Sequence, residues 1–460
     1  MTPLSADTIA AISTALGEGG IGIVRLSGDR AIAIADEIYR GARPLREVEA
    51  GRIVYGRVGT ENEVVDEVLV SVFRKPHSYT REDIVEINCH GGIAVVRRVL
   101  DLVLSHGARL AEPGEFTKRA FLNGRLDLSQ AEAVIDVIRA KTDLSLRSAV
   151  LQLTGRMSER IKPVRSQLID AIAHIEAAVD YPDEDIDVLE KDDLVNQLRQ
   201  VETALEEILA TADTGRILRE GVAVAIVGRP NVGKSSLLNL LLRENRALVT
   251  DIAGTTRDLI EETMNLRGIP VRIVDTAGIR QTEDVVETLG VARAKESIAE
   301  ADIVLFVIDG STALTDDDRE IAKLLEDTKV LGVINKLDQG IVVSKGELAE
   351  LVPKAQWVEM SAQEGTNLEE LEECLWNLIG VSGTLASGDE VIVTRERHRE
   401  AIKDAVEALR DALATIASDL PYDLASIDLQ LAADALGKIT GETVQEDIID
   451  RIFERFCLGK

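Results

Sequence analysis

The sequence predicts a multi-domain protein of α/β and all-α parts, with one α/β module set inside a helical domain that is discontinuous along the chain. Three observations predict it. The 460 residues exceed what one core supports, since single cores stop growing near ~250–300 residues. The composition, 45% hydrophobic and 29% charged, is that of a globular chain and excludes wholesale disorder. The texture also changes three times along the chain, from short β-rich runs to long helical patterns, to strand–helix alternation, and back to helices.

Residues 1–120 carry the runs GIGIVRLSG, GRIVYGRV, EVLVSVF and DIVEIN between glycine turns, which predicts an N-terminal α+β domain. Residues 121–215 form the first part of the helical domain. Ser129 and Glu132 have capping-box spacing, and Ala131, Val134, Ile135 and Ile138 recur at helical intervals. Long helical patterns follow, with Pro163 expected to mark a boundary or a kink. Residues 216–383 alternate strands and helices. VAVAIV, VRIVD, IVLFVID and KVLGVIN predict a mostly parallel sheet. Residues 384–460 return to helices. The last is expected to be capped by Thr443 and Glu446, with Ile448, Ile449, Ile452, Phe453 and Phe456 as one apolar stripe. Two separate helical domains are the alternative to one interrupted domain.

The chain holds 81 acidic and 52 basic residues, a net charge of −29. This argues against unaided gripping of nucleic acid by a broad basic face, although a local basic patch is compatible with the total. Cys89, Cys374 and Cys457 form no CxxC pair, so neither a zinc site nor a disulfide framework is expected. The first residues lack a basic start and a long apolar run, and no stretch approaches a membrane span. Together these point to the cytoplasm.

The α/β module carries the chemistry. VAVAIV leads into Gly228-Arg-Pro-Asn-Val-Gly-Lys-Ser235, a GxxxxGK[ST] loop opening a helix. Backbone amides from Asn231, Val232, Gly233 and Ser236 are placed to wrap phosphates. Lys234 supplies a charge to the β- and γ-phosphates, and the Ser235 hydroxyl is a Mg²⁺ ligand. Asp275, Thr276, Ala277 and Gly278 follow a second strand, where an acid polarises the Mg²⁺ hydration shell and a glycine amide reaches the γ-phosphate. Asn335-Lys336-Leu-Asp338 follows a third. Asp338 can accept from guanine N1 and N2, a pattern that adenine mismatches, so GTP is preferred over ATP. Ser361 and Ala362 close over the base. The loop Thr250-Asp251-Ile252-Ala253-Gly254-Thr255-Thr256-Arg257-Asp258 is a switch candidate in which Thr256 meets Mg²⁺. Arg257 is either an arginine finger or a salt-bridged surface residue. Ile279 follows DTAG and cannot orient water by hydrogen bonding. Hydrolysis is therefore very slow or served by another group, with candidates in the switch loop and in Glu283, Asp284 and Glu287.

GRPNVGKSS, TDIAGTTRD, DTAGIR, NKLD, PGEFTKRAFLNGRLDL and the final FCLGK together resemble the MnmE (TrmE) family of bacterial tRNA uridine-modification GTPases, over essentially the whole chain. The resemblance implies an N-terminal domain that binds 5-formyl-tetrahydrofolate or a related one-carbon folate and forms a homodimer. It implies a helical domain interrupted by a Ras-like GTPase domain, and a flavoprotein partner, MnmG. The pair would add a carboxymethylaminomethyl or aminomethyl group to C5 of the wobble uridine of certain tRNAs. It further implies G-domain pairing around K⁺ held by Asn231, Thr250, Ile252 and Thr255, Mg²⁺ on Ser235 and Thr256, and Glu287 positioning the attacking water. Arg25, Glu86, Arg125 and Lys460 match the family's folate positions. Arginine at 125 stands where some relatives have lysine, which keeps the charge and changes the donor geometry.

Cys457 is either a nucleophile activated near Lys460 or a small apolar residue finishing its helix. Cys89 and Cys374 read as structural, His90 as a turn histidine, and DYPDEDIDVLEKDD as a solvated acidic run. The alternative function is a regulatory GTPase switch, such as a ribosome-assembly factor. It explains the nucleotide motifs but neither a folate-like first domain nor the thiol.

Overall fold

The computed structural model describes residues 7–180, 191–245, 262–274, 289–326, 328–381, 393–418 and 421–460. Its first part is a seven-stranded sheet of β1 (Ile9–Ile12), β2 (Gly22–Ser27), β3 (Tyr39–Gly41), β4 (Arg52–Gly59), β5 (Val64–Phe73), β6 (Ile84–Cys89) and β7 (Arg109–Leu110). The order is β3-β4-β5-β6-β2-β1-β7, antiparallel except for β1 against β7. Alternating apolar residues give the sheet one buried face. Val24, Leu26, Val70, Val85 and Ile87 pack there against α1 (Ala31–Ile38) and α2 (Ile93–Ser105). On β4 and β5, Ile53, Tyr55 and Leu69 remain exposed.

Helices α3 (Glu115–Leu122), α4 (Leu128–Arg139), α5 (Asp143–Leu153), α6 (Arg156–Asp180), α7 (Lys191–Leu209) and α8 (Ala212–Glu220) follow. The capping box of α4 lies two residues earlier than its sequence suggests. Asp127, in extended backbone, accepts from the Gln130 amide, and the Gln130 side chain returns the bond. Ser129 and Glu132 are buried inside the helix instead. Glu132 accepts from Arg397 Nη2 at 2.7 Å and pairs with His398 Nε2 at 2.9 Å. Burial opposes its charge, but His398, Arg395 and Arg397 outweigh burial and hold the carboxyl far below its usual range. Burial likewise pushes the His398 imidazole down, against the pull of Glu132. Pro163 marks no boundary. It sits inside the 25-residue α6.

The second sheet has β8 (Val222–Val227), β9 (Glu262–Leu266), β10 (Ile269–Val274), β11 (Ile303–Asp309), β12 (Val330–Asn335) and β13 (Gln356–Glu359), in the order β13-β12-β11-β8-β10-β9. It is parallel except for β9 against β10. Every residue of β8, β11 and β12 is buried, as a parallel sheet covered on both faces requires. The cover comprises α9 (Lys234–Asn245), α10 (Leu289–Glu300), α11 (Asp316–Lys323), α12 (Lys345–Leu351) and α13 (Leu368–Ile379).

The chain then returns through α14 (Glu396–Ala417), α15 (Tyr422–Thr440) and α16 (Glu446–Phe453). Helices from both sides of the second sheet share one core, with Ile161, Leu168, Leu198 and Leu205 against Leu409, Leu429 and Leu436. The helical part is therefore one unit interrupted by the α/β module. Thr443 does not cap α16: its hydroxyl donates to the Asp434 carbonyl, and Gln445 precedes the helix without a side-chain cap. Ile449, Phe453 and Phe456 pack on Phe121, Leu128 and Val134 of the α3–α4 segment, while Ile448 is 42% exposed and leaves the expected stripe.

The two chain crossings into the module are tied together. Residue 216, the expected boundary, lies within α8. Gly215 abuts the Val393 carbonyl so closely that a Cβ would lie 1.7 Å from its oxygen, and Leu218 belongs to the second sheet's core. Asp136 on α4 accepts from Arg219 Nε at 3.1 Å and from Arg395 Nη2 at 2.7 Å, one arginine from each crossing. The Thr142 hydroxyl donates to the Gly268 carbonyl and that of Ser145 to Leu218, so α5 is fastened to the module as well.

Candidate functional site

The loop after β8 owes its shape to residues that tolerate positive φ. Gly228 has φ 157° and Gly233 φ 101°, and a Cβ on Gly233 would lie 2.1 Å from Asn335 Nδ2. Asn231 also takes φ 63°. Helix α9 begins at Lys234, so its first amides face the loop. Lys234 Nζ donates to the Gly228 and Arg229 carbonyls, both at 2.7 Å, curling the loop around the ammonium. Burial first, then neighbouring Arg229, lowers its pKa to about 8. An anion bound at this loop would supply the countercharge that these carbonyls replace in part.

The base-recognition motifs meet this loop. Buried Asn335 ends β12, donates from Nδ2 to the Val232 carbonyl at 2.7 Å, and accepts the Ala362 amide on Oδ1 at 2.8 Å. One side chain thus joins three loops. Lys336, with φ 68°, donates to Asp309 Oδ2 at 2.6 Å. Asp338 accepts from the Ser361 hydroxyl at 2.6 Å. The structure therefore brings Val232, Gly233, Lys234, Asn335, Lys336, Asp338, Ser361 and Ala362 into one network, with Ser235 and Ser236 exposed at the start of α9. Thr250, Asp251, Ile252, Ala253, Gly254, Thr255, Thr256, Arg257, Asp275, Thr276, Ala277, Gly278, Ile279, Glu283, Asp284 and Glu287 lie outside the described residues.

Sequence reasoning missed Asp309 and Arg229. Asp309 ends the otherwise apolar IVLFVID, and a carboxylate closing such a strand was the available signal. Burial works against its charge, but Lys336 and the Ser311 amide and hydroxyl outweigh it and hold the carboxyl down. Arg229 reaches Asp318 at 3.3 Å and the Thr312 hydroxyl at 2.9 Å, bracing the loop from α11.

A second constellation lies on the first sheet. Arg25 and Glu86 face each other in register on β2 and β6, and Arg25 Nε donates to Glu86 Oε1 at 2.8 Å. The 457–460 segment lies against them. The Gly459 carbonyl accepts from the Ser13 hydroxyl at 3.1 Å and Arg25 Nη1 at 3.4 Å, and the Gly114 amide donates to the Cys457 carbonyl at 3.4 Å. Gly459 has φ 86°, and a Cβ there would lie 2.2 Å from the Ile12 carbonyl oxygen. Burial, then Arg25, lowers the Lys460 pKa, against Glu86 and Cys457. The Arg25 guanidinium lies 5.7 Å from the ring centroids of Tyr79 and Phe116, and Arg125 lies 4.7 Å from that of Tyr79. Arg25 and Glu86 therefore meet directly, Lys460 lies within reach of both charges, and Arg125 joins through Tyr79. The two aromatic rings had no sequence signal.

The thiol of Cys457 is exposed, whereas Cys89 and Cys374 are buried. Burial, then Asp66, pushes the Cys89 thiol up to about 11, which keeps it protonated and inert. His90 pairs with Asp66 at 2.7 Å. Among the described residues no cluster of His, Cys, Asp and Glu is arranged to hold a metal ion, and no helix is long and apolar enough to cross a membrane. Most of the acidic run around 181–190 lies outside them.

Residues 128–457 match the MnmE helical domain, and residues 8–125 match the GTP-binding protein TrmE N-terminus. A tRNA modification GTPase MnmE from Thermoanaerobacter pseudethanolicus is 50% identical over 458 residues, 99% of each chain. Its counterpart from Bacillus cereus is 48% identical over 457 residues, again 99% of each. The G domain of the T. maritima FeoB iron transporter is 24% identical over 34% of this chain and 98% of that one, with a TM-score of 0.26.

Proposed function

The chain belongs to the MnmE family of tRNA modification GTPases, and from that premise we propose that it couples GTP hydrolysis to chemistry at C5 of a tRNA wobble uridine. With a flavoprotein partner of the MnmG kind, it would install a carboxymethylaminomethyl or aminomethyl group there. The observation that carries this reading is the 457–460 segment, whose Gly459 carbonyl accepts from Arg25 and whose Cys457 thiol is exposed. A GTPase acting as a plain switch has no use for it.

The chain divides, in this reading, into a folate-binding domain (1–120), a helical domain in two parts (121–215 and 384–460), and an inserted GTPase domain (216–383). Asp338, Lys336, Ser361 and Ala362 hold guanine. The 231–236 loop, the 250–256 loop and Asp275–Gly278 hold the phosphates. Ser235, at the start of α9, suits Mg²⁺ through its hydroxyl, together with Thr256. Asn231, exposed on a left-handed turn, offers an amide oxygen to K⁺, together with Thr250, Ile252 and Thr255. Potassium there would place positive charge where negative charge develops during GTP cleavage, the role of an arginine finger. Glu287 positions the water that Ile279 cannot.

Arg25, Glu86, Arg125 and Lys460 fit an anionic ligand with a planar ring, since cationic groups flank the Tyr79 and Phe116 faces. A one-carbon folate bound there would supply the carbon of the new group. The exposed Cys457 thiol would act as the nucleophile. The exposed Ile53, Tyr55 and Leu69 suit a homodimer through the first sheet, in the cytoplasm.

Mass analysis of wobble uridines in tRNA from cells lacking this protein tests the reading: loss of the modification is expected, and unchanged modification would sink it. Hydrolysis should be faster in KCl than in NaCl at equal ionic strength; equal rates remove potassium from the mechanism. Glu287→Ala should slow turnover while sparing GTP affinity.

A further inference from the structure

A cleft of about 470 Å³ opens where α4, α8, α16 and the chain entering α14 meet. Six arginines and four carboxylates line it. The arginines fall into two sets. Arg219, Arg395 and Arg397 are spent on Glu132, Asp136 and Glu220. Arg139, Arg451 and Arg455 are exposed and have no carboxylate partner among the described residues. Arg139 donates to the Arg455 carbonyl at 3.2 Å, which ties the end of α4 to the segment after α16, and all three arginines line the cleft.

That grouping runs against the rest of the chain. With 81 acids to 52 bases in the chain, three arginines lining one concavity make no ion pair among the described residues. Like charges so held repel one another unless an anion joins them. Guanidinium forks match phosphate oxygens in pairs. Ile135, Ile452 and Phe456 form an apolar floor for sugar or base faces, and Phe456 leads directly into Cys457.

We propose that this cleft is a phosphate-binding site for the tRNA substrate, with Arg139, Arg451 and Arg455 as the contacting groups. It rests on the function proposed above and adds a place on this chain where the substrate is held. An acidic protein segment would use the charges alone, whereas RNA uses them through its phosphates and the apolar floor through its sugar and base faces, so RNA is the occupant.

The test titrates the full chain with an unmodified tRNA transcript at several KCl concentrations, beside R139E/R451E/R455E and the triple lysine variant. GTP turnover, expected unchanged in all three, reports that the variants fold. Each lost phosphate contact lowers the slope of log affinity against log salt by roughly 0.7–0.9, so the triple reversal should reduce it by about 2 and weaken binding at least ~10-fold at physiological salt. The lysine variant should keep the slope. Unchanged affinity and slope in the reversal variant overturns the proposal. So does native-chain binding weaker than the ~100 µM limit of sequence-independent association. A polyglutamate peptide that needs the three arginines while tRNA does not would make the cleft a protein-docking surface, and the proposal would fall. Wobble modification that depends on the protein, with tRNA binding indifferent to the arginines, sinks this site alone; modification that does not depend on the protein sinks the functional reading.

Discussion

In the nucleotide site, one buried asparagine joins three loops that each follow their own strand, and every partner belongs to a short contiguous motif. In the site on the first sheet, Arg25 meets Glu86 61 residues away and Gly459 434 residues away. The first site is held by loop backbones whose shape the motif residues dictate. The second exists because antiparallel register and a docked segment coincide. What joins them is α4, whose Asp136 grips both crossings into the GTPase module and whose Glu132 anchors α14. The contrast teaches that a substitution in either site should stay local, while loss of the Glu132 or Asp136 carboxylate on α4 should disturb both.

Glu132→Ala tests that with the largest effect. It leaves Arg397 and His398 without their buried carboxylate, a loss of about 3–5 kcal/mol. Denaturant unfolding should show it, with GTP turnover and tRNA modification falling together; loss of one alone would break the comparison. Acid should act on the same cluster. Both Glu132 and His398 have folded pKa values below their unfolded ones, so the unfolded chain binds more protons and stability falls as pH drops. The histidine contribution fades below about pH 6.5 and the glutamate contribution below about 4.3. A denaturation midpoint no lower at pH 5.5 than at 7.5 would remove His398 from this account.

Gly233→Ala should weaken GTP binding by about 100-fold or more, because the new Cβ meets Asn335 at a φ that alanine resists. Fluorescent-nucleotide titration measures it, and tight binding would show that the loop adapts. Gly459→Ala is the mirror experiment. It should unseat the 457–460 segment and lower modification about tenfold while nucleotide affinity stays unchanged. A matching loss of GTP affinity would mean the two sites are not separable. The smallest effect concerns Lys234. Its pKa of about 8 in the free site rises when phosphates bind, so affinity is flat below that pH and falls above it. From pH 7 to 8.5, GTP affinity should fall about fourfold, the fraction protonated setting the factor. A flat profile would mean that the lysine keeps its charge without a ligand.

The same contrast explains what could be read from sequence. The P-loop, NKLD and SA motifs were legible because phosphate wrapping and base recognition each fix residue type and spacing within a few positions. The α/β module was legible because β8, β11 and β12 are apolar throughout, the mark of strands covered on both faces. Arg25 and Glu86 stood out through family resemblance alone, since nothing local tells one strand charge from another. Tyr79 and Phe116 gave no signal because their role is a position beside arginines from distant elements. The caps failed for a different reason. S-x-x-E at 129 and D-x-x-Q at 127 have equal spacing, and what decides between them is that Arg397 and His398 claim Glu132 from 265 and 266 residues away. At α16, Thr443 is drawn off to the Asp434 carbonyl, another tertiary choice that local pattern does not encode.

The docking of residues 457–460 on the first sheet also orders events in time. Arg25 leaves the ribosome 434 residues before Gly459 does. At ~5–20 residues per second, the first domain waits roughly 20–90 s for the segment that docks on it. The sheet of the GTPase module is complete by Glu359, before then. Newly made protein thus passes through a stage in which Ser13 and Arg25 lack their Gly459 partner, and a chain cut short before residue 457 would stay there.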